Sequence, residues 1–399
     1  MIKVLHVHYC AVEYFKKKKT MKKILVPFFL LLVSCCKMHH NTDSIKIEFS
    51  NVKDIDFEDC IDSLYINPIY CDYPISELSR IQMYSNCFFM KDAASKIIYY
   101  VSGDSVISKL DAFGRGHGEY QSLSSFAYCE EESILYVFSS VDQKILLYKV
   151  PSFEFISFIP FDYIISCMSY EEGSLIAICT TNNNNSVRSN GIYSIDVNNG
   201  NVRLLMPLDF FSAYFSYDLS FFHNKGVLYF INPCFDNAIF RVTPERVEKV
   251  CEYYYGKYNL NKDFFNIDET DSRQYSEKII ELFNSDYTVG GYCGDICDSI
   301  NFSFWTSVGH SGETDYYRVK VEDAKSYLYR VLFPINSFEM TPDYVYRDWF
   351  VRIINKTDID LTDENRVTGK TVALIEEAFN RKKFDNPVLL FYKLKEKWE

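Results

Sequence analysis

A short run of aromatic and β-branched residues, a turn carrying Asp, and a second such run opening near an Ile recur along this chain. Cys87 to Asp92 is followed by Lys96 to Val101, then Gly103-Asp104 and Val106 to Leu110. Ile134 to Phe138 leads in the same way to Asp142, Lys144 to Tyr148 and Phe153 to Ile159. Val227 to Ile231 leads to Asp236 and Ala238 to Val242. Phe89 and Tyr136 are 47 residues apart, and the 93 from Tyr136 to Tyr229 leave room for two further units. Looser copies lie at Leu175 to Cys179 with Gly191 to Val197, at Phe302 to Trp305 with Tyr316 to Lys320, and at Trp349 to Ile354 with Val388 to Leu394. Asp suits such turns because its carboxylate accepts from nearby backbone amides. Six four-stranded units at roughly 40–50 residues each are the spacing of propeller blades rather than of helical solenoid repeats. The expected fold is therefore all-β, a six-bladed β-propeller in which each blade buries its faces against its neighbours.

Composition agrees: Tyr and Phe number 65 and aromatics make up 17% of the chain, an enrichment that favours sheet. Two stretches depart from the β grammar. Thr270 to Ser285 places Tyr275, Ile279, Leu282 and Phe283 on one helical face, and Thr371 to Arg381 does so with Val372, Ile375 and Phe379. Both are expected as short helical inserts on the propeller rim. Thr180 to Asn190, with its run of asparagines, reads as a polar loop. Ile45 to Phe49 is expected to pair with the last blade and close the ring.

The N-terminal region has a different character. From Met21, Lys22 and Lys23 precede an apolar run from Ile24 to Val33. Those ten residues are too few to span a bilayer as a helix, which takes about 20, and they suit the apolar segment of a signal peptide. Leu32-Val33-Ser34-Cys35 then matches a bacterial lipobox. The Cys35 thiol would carry the lipid, since only a thiol can form the thioether; Cys36 beside it is incidental. The expected organisation is thus residues 1–34 as an over-extended start plus signal peptide, with Met21 as the true start. Residues 35–44 form a lipid-anchored tether and 45–399 the propeller. The location implied is the cell envelope, at the outer membrane on its periplasmic face or at the cell surface.

Removing residues 1–34 takes away seven lysines and Glu13, leaving 35 basic and 53 acidic residues, a formal charge of −18. Such a surface argues against nucleic acid or anionic headgroups as partners; the membrane is reached through the lipid anchor alone. Cations, neutral glycans, peptides and proteins stay open. Of the 13 cysteines, Cys87, Cys129, Cys167 and Cys179 lie in apolar runs and are expected as buried free thiols. Cys293 and Cys297 could form a local disulfide or remain two thiols; without a second pair they do not make a zinc site.

Between the first two units, Asp111-Ala-Phe-Gly-Arg-Gly-His-Gly-Glu-Tyr120 resembles the G-R-G-P-G-E-Y junction of the Bacteroidetes 6-bladed β-propeller lipoproteins, which are similar in shape to NHL and TolB-like propellers. Asp385 to Leu394 is similar to that family's closing strand, and the lipobox agrees. The resemblance covers the chain from about Ile45 onward, and His117 stands where the family usually has proline. It implies the propeller fold and an envelope location; it implies no reaction.

Within that junction Arg115, His117, Glu119 and Tyr120 are the candidate ligand-binding residues, able to grip a carboxylate or hydroxyls at the channel mouth. The competing role is structural, with Gly114, Gly116 and Gly118 supplying turns between blades. The G-x-G-x-G spacing, followed by strand, is not a dinucleotide fingerprint. Gly369-Lys-Thr371 resembles the end of a P-loop, but Glu364 occupies the leading glycine's place. His117, His223 and His310 are the histidines beyond His39 and His40, and Gly309-His-Ser-Gly312 reads as a hairpin loop. Asp92, Asp142 and Asp236 recur at equivalent places, where they could ring a cation or cap turns. The functional reading is a lipid-anchored binding or interaction module, with no catalytic residues and no cofactor assigned. The alternative is a channel-centred hydrolase, lactonase or lyase using Ca²⁺ held by carboxylates.

Overall fold

The computed structural model describes residues 44–76, 78–180, 190–208, 221–231, 237–259, 272–283, 288–310, 313–333, 342–358 and 369–395. The chain divides into Met1–Asp43 and Ser44–Glu399; the first unit, with the signal segment, Cys35 and nearly all of the tether, lies outside those residues. So do Asp236, Glu364 and most of the asparagine-rich loop.

Among the described residues there are six sheets, each built on four antiparallel strands. Blade 1 consists of Leu78–Met83, Phe88–Asp92, Ile97–Ser102 and Ser105–Leu110. Blade 2 has Ser125–Cys129, Ile134–Ser139, Lys144–Lys149 and Glu154–Pro160, and blade 3 has Ile164–Glu171, Ser174–Thr180, Gly191–Asp196 and Val202–Pro207. Blade 4 has Phe221–Asn224, Val227–Ile231, Ala238–Val242 and Val247–Tyr254; blade 5 has Thr288–Ile296, Phe302–His310, Glu313–Glu322 and Lys325–Leu332. Blade 6 takes Tyr344–Tyr346, Trp349–Ile354 and Val388–Leu394 from the C-terminal region and Ile61–Asn67 from near the N-terminus. The two runs shared by all six sequence units prove to be the middle strands of each blade, and the third run of the first two units is the outer strand.

Those middle strands were legible because they are covered on both faces. Phe88–Asp92 is buried at every position, as are Ile145 to Tyr148 in the next blade. Outer strands such as Val202–Pro207 are largely exposed. The core lies in the seams: one cluster joins blades 1 to 3, another blades 3 and 4, another blades 6 and 1, and the largest unites blades 4 to 6. The helical inserts form as Ser272–Phe283 and Lys370–Asn380. The second buries Val372, Ile375 and Phe379 in the largest cluster, on the face its 3.6-residue period dictates.

The closing strand differs from expectation. Ile45–Lys46 pairs in parallel with the outer strand of blade 4, through Ile45 and Tyr253. Lys53–Asp56 adds in parallel to the outer strand of blade 5. Only Ile61–Asn67 reaches blade 6, antiparallel to Val388–Leu394, with Tyr392 facing Leu64. A parallel strand added at a sheet edge needs extended backbone and little else, so Ile45 to Phe49 carried no sign of which blade it joins. Val388–Leu394 is in turn the third strand of its blade rather than the outermost.

Residues 45–67 thus form a strap across three blades, and specific bonds hold it. The Arg330 guanidinium grips Asp54 through two hydrogen bonds of 2.9 and 2.7 Å, the bidentate geometry of strong charge-assisted pairs. Ser326 Oγ donates to the Lys46 carbonyl at 2.7 Å. Glu58 accepts from the Thr371 amide at 2.8 Å, placing a carboxylate at the N-terminus of Lys370–Asn380 as the helix dipole favours. Between the strap's strands, Phe57 is fully buried, its ring 5.1 Å from Tyr392 and 5.5 Å from Phe333.

Phe57→Ala should therefore lower the unfolding free energy by about 3–5 kcal/mol, the usual cost of emptying a buried aromatic site. Urea unfolding checks this; a loss below about 1 kcal/mol would show that the strap is not part of the folded core.

Candidate functional site

The junction between blades 1 and 2 turns its polar groups on itself. Glu119 folds back so that Oε2 accepts from the Gly116 amide at 2.6 Å, and its own amide donates to the Gly116 carbonyl at 3.2 Å. Tyr120 is fully buried, its hydroxyl donating to the Lys96 carbonyl at 2.6 Å; burial pushes the phenol pKa up. Tyr148 of blade 2 donates to the Gly118 carbonyl at 2.9 Å. Gly118 has φ +77°, and a Cβ there would lie 2.6 Å from the Phe155 ring, so two separate constraints demand glycine. His117 is exposed and meets Phe155 edge-on at 4.9 Å; Arg115 is exposed. Of the four candidate residues, Glu119 and Tyr120 are engaged in building the loop, while Arg115 and His117 face solvent.

Of the recurrent aspartates, Asp92 and Asp142 clamp the chain entering blades 1 and 2. Asp92 accepts from the Ser76 amide and hydroxyl at 3.0 and 2.7 Å, and from the amides of Ala94 and Ser95. Asp142 accepts from the Gln121 amide and side chain at 2.8 and 2.6 Å and from the Ser139 hydroxyl. Burial pushes both carboxyls up in pKa, but the bonds from Ser95 and Ser76, and from Gln121 and Ser139, outweigh it; both titrate below the usual carboxylate range. Among the described residues no three His, Cys, Asp or Glu side chains gather as metal ligands do.

Buried Arg80 of blade 1 donates to Ser125 Oγ of blade 2 at 2.9 Å and to the Met168 carbonyl of blade 3 at 3.3 Å. Gln82 donates to the Phe126 and Met168 carbonyls at 2.9 and 3.3 Å. These two side chains tie three first strands together. His223 Nε2 meets Glu171 Oε1 at 2.7 Å, and Ser169 Oγ donates to that same oxygen at 3.1 Å. The carboxylate orients the imidazole, but the hydroxyl is set on the carboxylate rather than on the imidazole, which is not a nucleophile–base arrangement. Asn386 is buried and accepts from the Ile75 amide at 2.7 Å while donating to the Tyr73 carbonyl at 3.1 Å. The Asp385-Asn-Pro sequence thus fastens the last blade to the segment entering the first.

A cleft of about 850 Å³ opens between blades 5 and 6, on the side of the turns joining their first and second strands. Its floor includes Val345 and Phe350; Arg318, Lys320, Arg347, Lys393 and Lys395 line it with Asp62, Glu322 and Asp348. Arg318 is buried on blade 5, donates to Ser303 Oγ at 2.5 Å, and lies 4.9 Å from the Phe350 ring centre and 5.7 Å from that of Trp305. Lys393 pairs with Asp348, and Lys320 with Glu322 at 2.7 Å. Cys297 is an exposed free thiol on its wall. By contrast Cys87, Cys129, Cys167 and Cys179 are buried free thiols, and burial pushes Cys87 up to about 11. No sequence signal marked the cleft: Tyr316 to Glu322 alternates charged and apolar residues as any half-solvated strand does.

Residues 36–289 match the DUF5128 family, a 6-bladed beta-propeller, and the chain belongs to that family. It is similar in structure to a candidate exported protein of Bacteroides fragilis, with a TM-score of 0.68, 18% identity, and 88% of this chain and 99% of that one covered. It is also similar to a DUF4221 family member from Bacteroides vulgatus, with a TM-score of 0.51, 8% identity and coverage of 84% and 97%. At these identities the likeness is one of fold. No curated protein sequence matches the chain.

Because the folded-state pKa of Asp92 lies below the unfolded value, its contribution to stability is present above about pH 4 and fades as pH falls through the folded value. Asp92→Asn should therefore destabilise the protein at pH 6, with a difference from wild type that shrinks steadily toward pH 2.5 in urea titrations. A difference independent of pH would show that the ionised carboxylate is not what the turn needs.

Proposed function

We propose that this protein is a lipid-anchored binding module of the cell envelope that takes its ligand in the cleft between blades 5 and 6. The observation that carries the reading is the cleft itself. At about 850 Å³ it falls within the range of small-molecule and oligomer sites, with an apolar floor and a few convergent polar groups. Its walls are paired strands and tight turns, which hold such groups in place. The location draws support from the signal segment ending at Cys35 and from the exported character suggested for the Bacteroides fragilis protein of similar fold. Among the described residues no helix is long and apolar enough to cross a membrane; the proposed anchor is the Cys35 lipid, at the outer membrane.

Cys35→Ala should move the protein from the membrane to the soluble fraction or leave it unprocessed; partitioning that is unchanged would refute the anchor. For the cleft, the full mature chain in detergent micelles is screened against glycans and peptides. A ligand bound as proposed should slow maleimide labelling of Cys297 at least several-fold, read at that peptide by mass spectrometry. Saturable binding that leaves the Cys297 rate untouched would place the ligand elsewhere.

A further inference from the structure

We infer that the cleft between blades 5 and 6 selects an acidic ligand, through an oxyanion group such as a carboxylate, phosphate or sulfate. This rests on the cleft being the binding site and adds what it recognises. The chain as a whole is acidic, with a formal charge of −12, so its long-range field repels anions. The cleft reverses that balance: five basic and three acidic side chains line it. A basic pocket sunk in an acidic molecule is a local device, since charges more than about 8–10 Å away are largely screened at ordinary ionic strength.

The arrangement of those cations matters as much as their number. Lys320 and Lys393 form ion pairs with Glu322 and Asp348, which neutralises two of the three acids and leaves Asp62 as the third. Arg318 approaches from the wall of blade 5, buried and set against the faces of Phe350 and Trp305, with Ser303 Oγ fixing one arm. A guanidinium held between ring faces and a hydroxyl puts a fixed positive charge at the wall of the cleft. Arg347 approaches from the rim of blade 6. It sits with Asp348 in the two-residue turn between Tyr346 and Trp349, at φ +57°, against the ring of Tyr346. Lys395 comes from the strap side, its ammonium donating to the Asp59 carbonyl at 2.7 Å. The three cations thus arise from three separate segments of the fold and meet at one opening. Lys225 adds a fourth at its edge, 3.8 Å from Cys297 Sγ.

The test is calorimetric titration of the full mature chain, in neutral detergent, with sodium phosphate, sodium sulfate, a trigalacturonate and the uncharged trigalactose. Saturable binding of at least one acidic probe is expected, weakening as salt is raised. Arg347→Ser and Lys395→Ser, both at exposed positions, should each weaken it roughly 10-fold, the usual worth of a charge-assisted bond. Arg318→Gln should abolish it if its melting curve shows a folded protein, and Lys109→Ser on blade 1 should change nothing. Binding of phosphate or sulfate alone would identify a free oxyanion as the ligand, and binding of the galacturonate alone a glycan-borne carboxylate. Two results would overturn the inference. One is acidic-probe binding that Arg347→Ser and Lys395→Ser leave unchanged; the other is no saturable binding of any acidic probe. If the neutral trigalactose instead binds and protects Cys297, the binding-module reading survives while acid selectivity fails.

Discussion

Everything in this ring depends on the antiparallel pairing of Ile61–Asn67 with Val388–Leu394. A propeller buries its blade faces only if every blade has a neighbour on both sides, and an open ring would expose two whole faces of apolar side chains. The backbone ladder joins segments more than 320 residues apart in sequence, and side chains reinforce it. Phe57 seals the seam beside Tyr392, Glu58 caps the helix Lys370–Asn380, and Asn386 fastens the last blade to the segment entering the first. The two parallel strands upstream extend that grip outward over blades 4 and 5.

The parts of this architecture visible in the sequence are those that water never reaches. Phe88–Asp92 and Ile145 to Tyr148 are covered on both sides, so their composition is apolar throughout and their spacing exposes the blade count. Asp92 and Asp142 were legible as turn residues because their partners are mostly within a few positions or in the adjoining linker. The strap was not legible. Ile-Asp-Ser-Leu-Tyr-Ile-Asn at 61–67 is one irregular polar–apolar stretch among many, and nothing local names a partner at the other end of the chain. Ile45 was recognisable as a strand, yet parallel addition at an edge specifies backbone and not identity.

The candidate site was hidden for a related reason. Arg318 and Lys320 alternate with Tyr317, Val319 and Val321 as a solvent-facing strand would, and only the approach of blade 6 turns that face into the wall of a cleft. The glycine-rich junction drew attention because its composition is unusual, but the unusual demand there is conformational. Gly118 must pass under Phe155 at positive φ, and Glu119 satisfies the amide of its own loop. In this fold the glycine-rich junction serves a joint between blades, while the cleft forms where ordinary strands from different blades converge.

The strap also fixes an order of events. Its residues leave the ribosome before any blade is complete, yet the partners of 45–46, 53–56 and 61–67 lie in the third-last, second-last and last blades. The earliest-made segment must wait, unpaired, until almost the whole polypeptide exists. Closure over such separations is slow, so blades 1 to 3 can assemble from local hairpins while the final three cannot be locked. A chain built this way stays incompletely folded until Val388–Leu394 has been made and can pair with Ile61–Asn67.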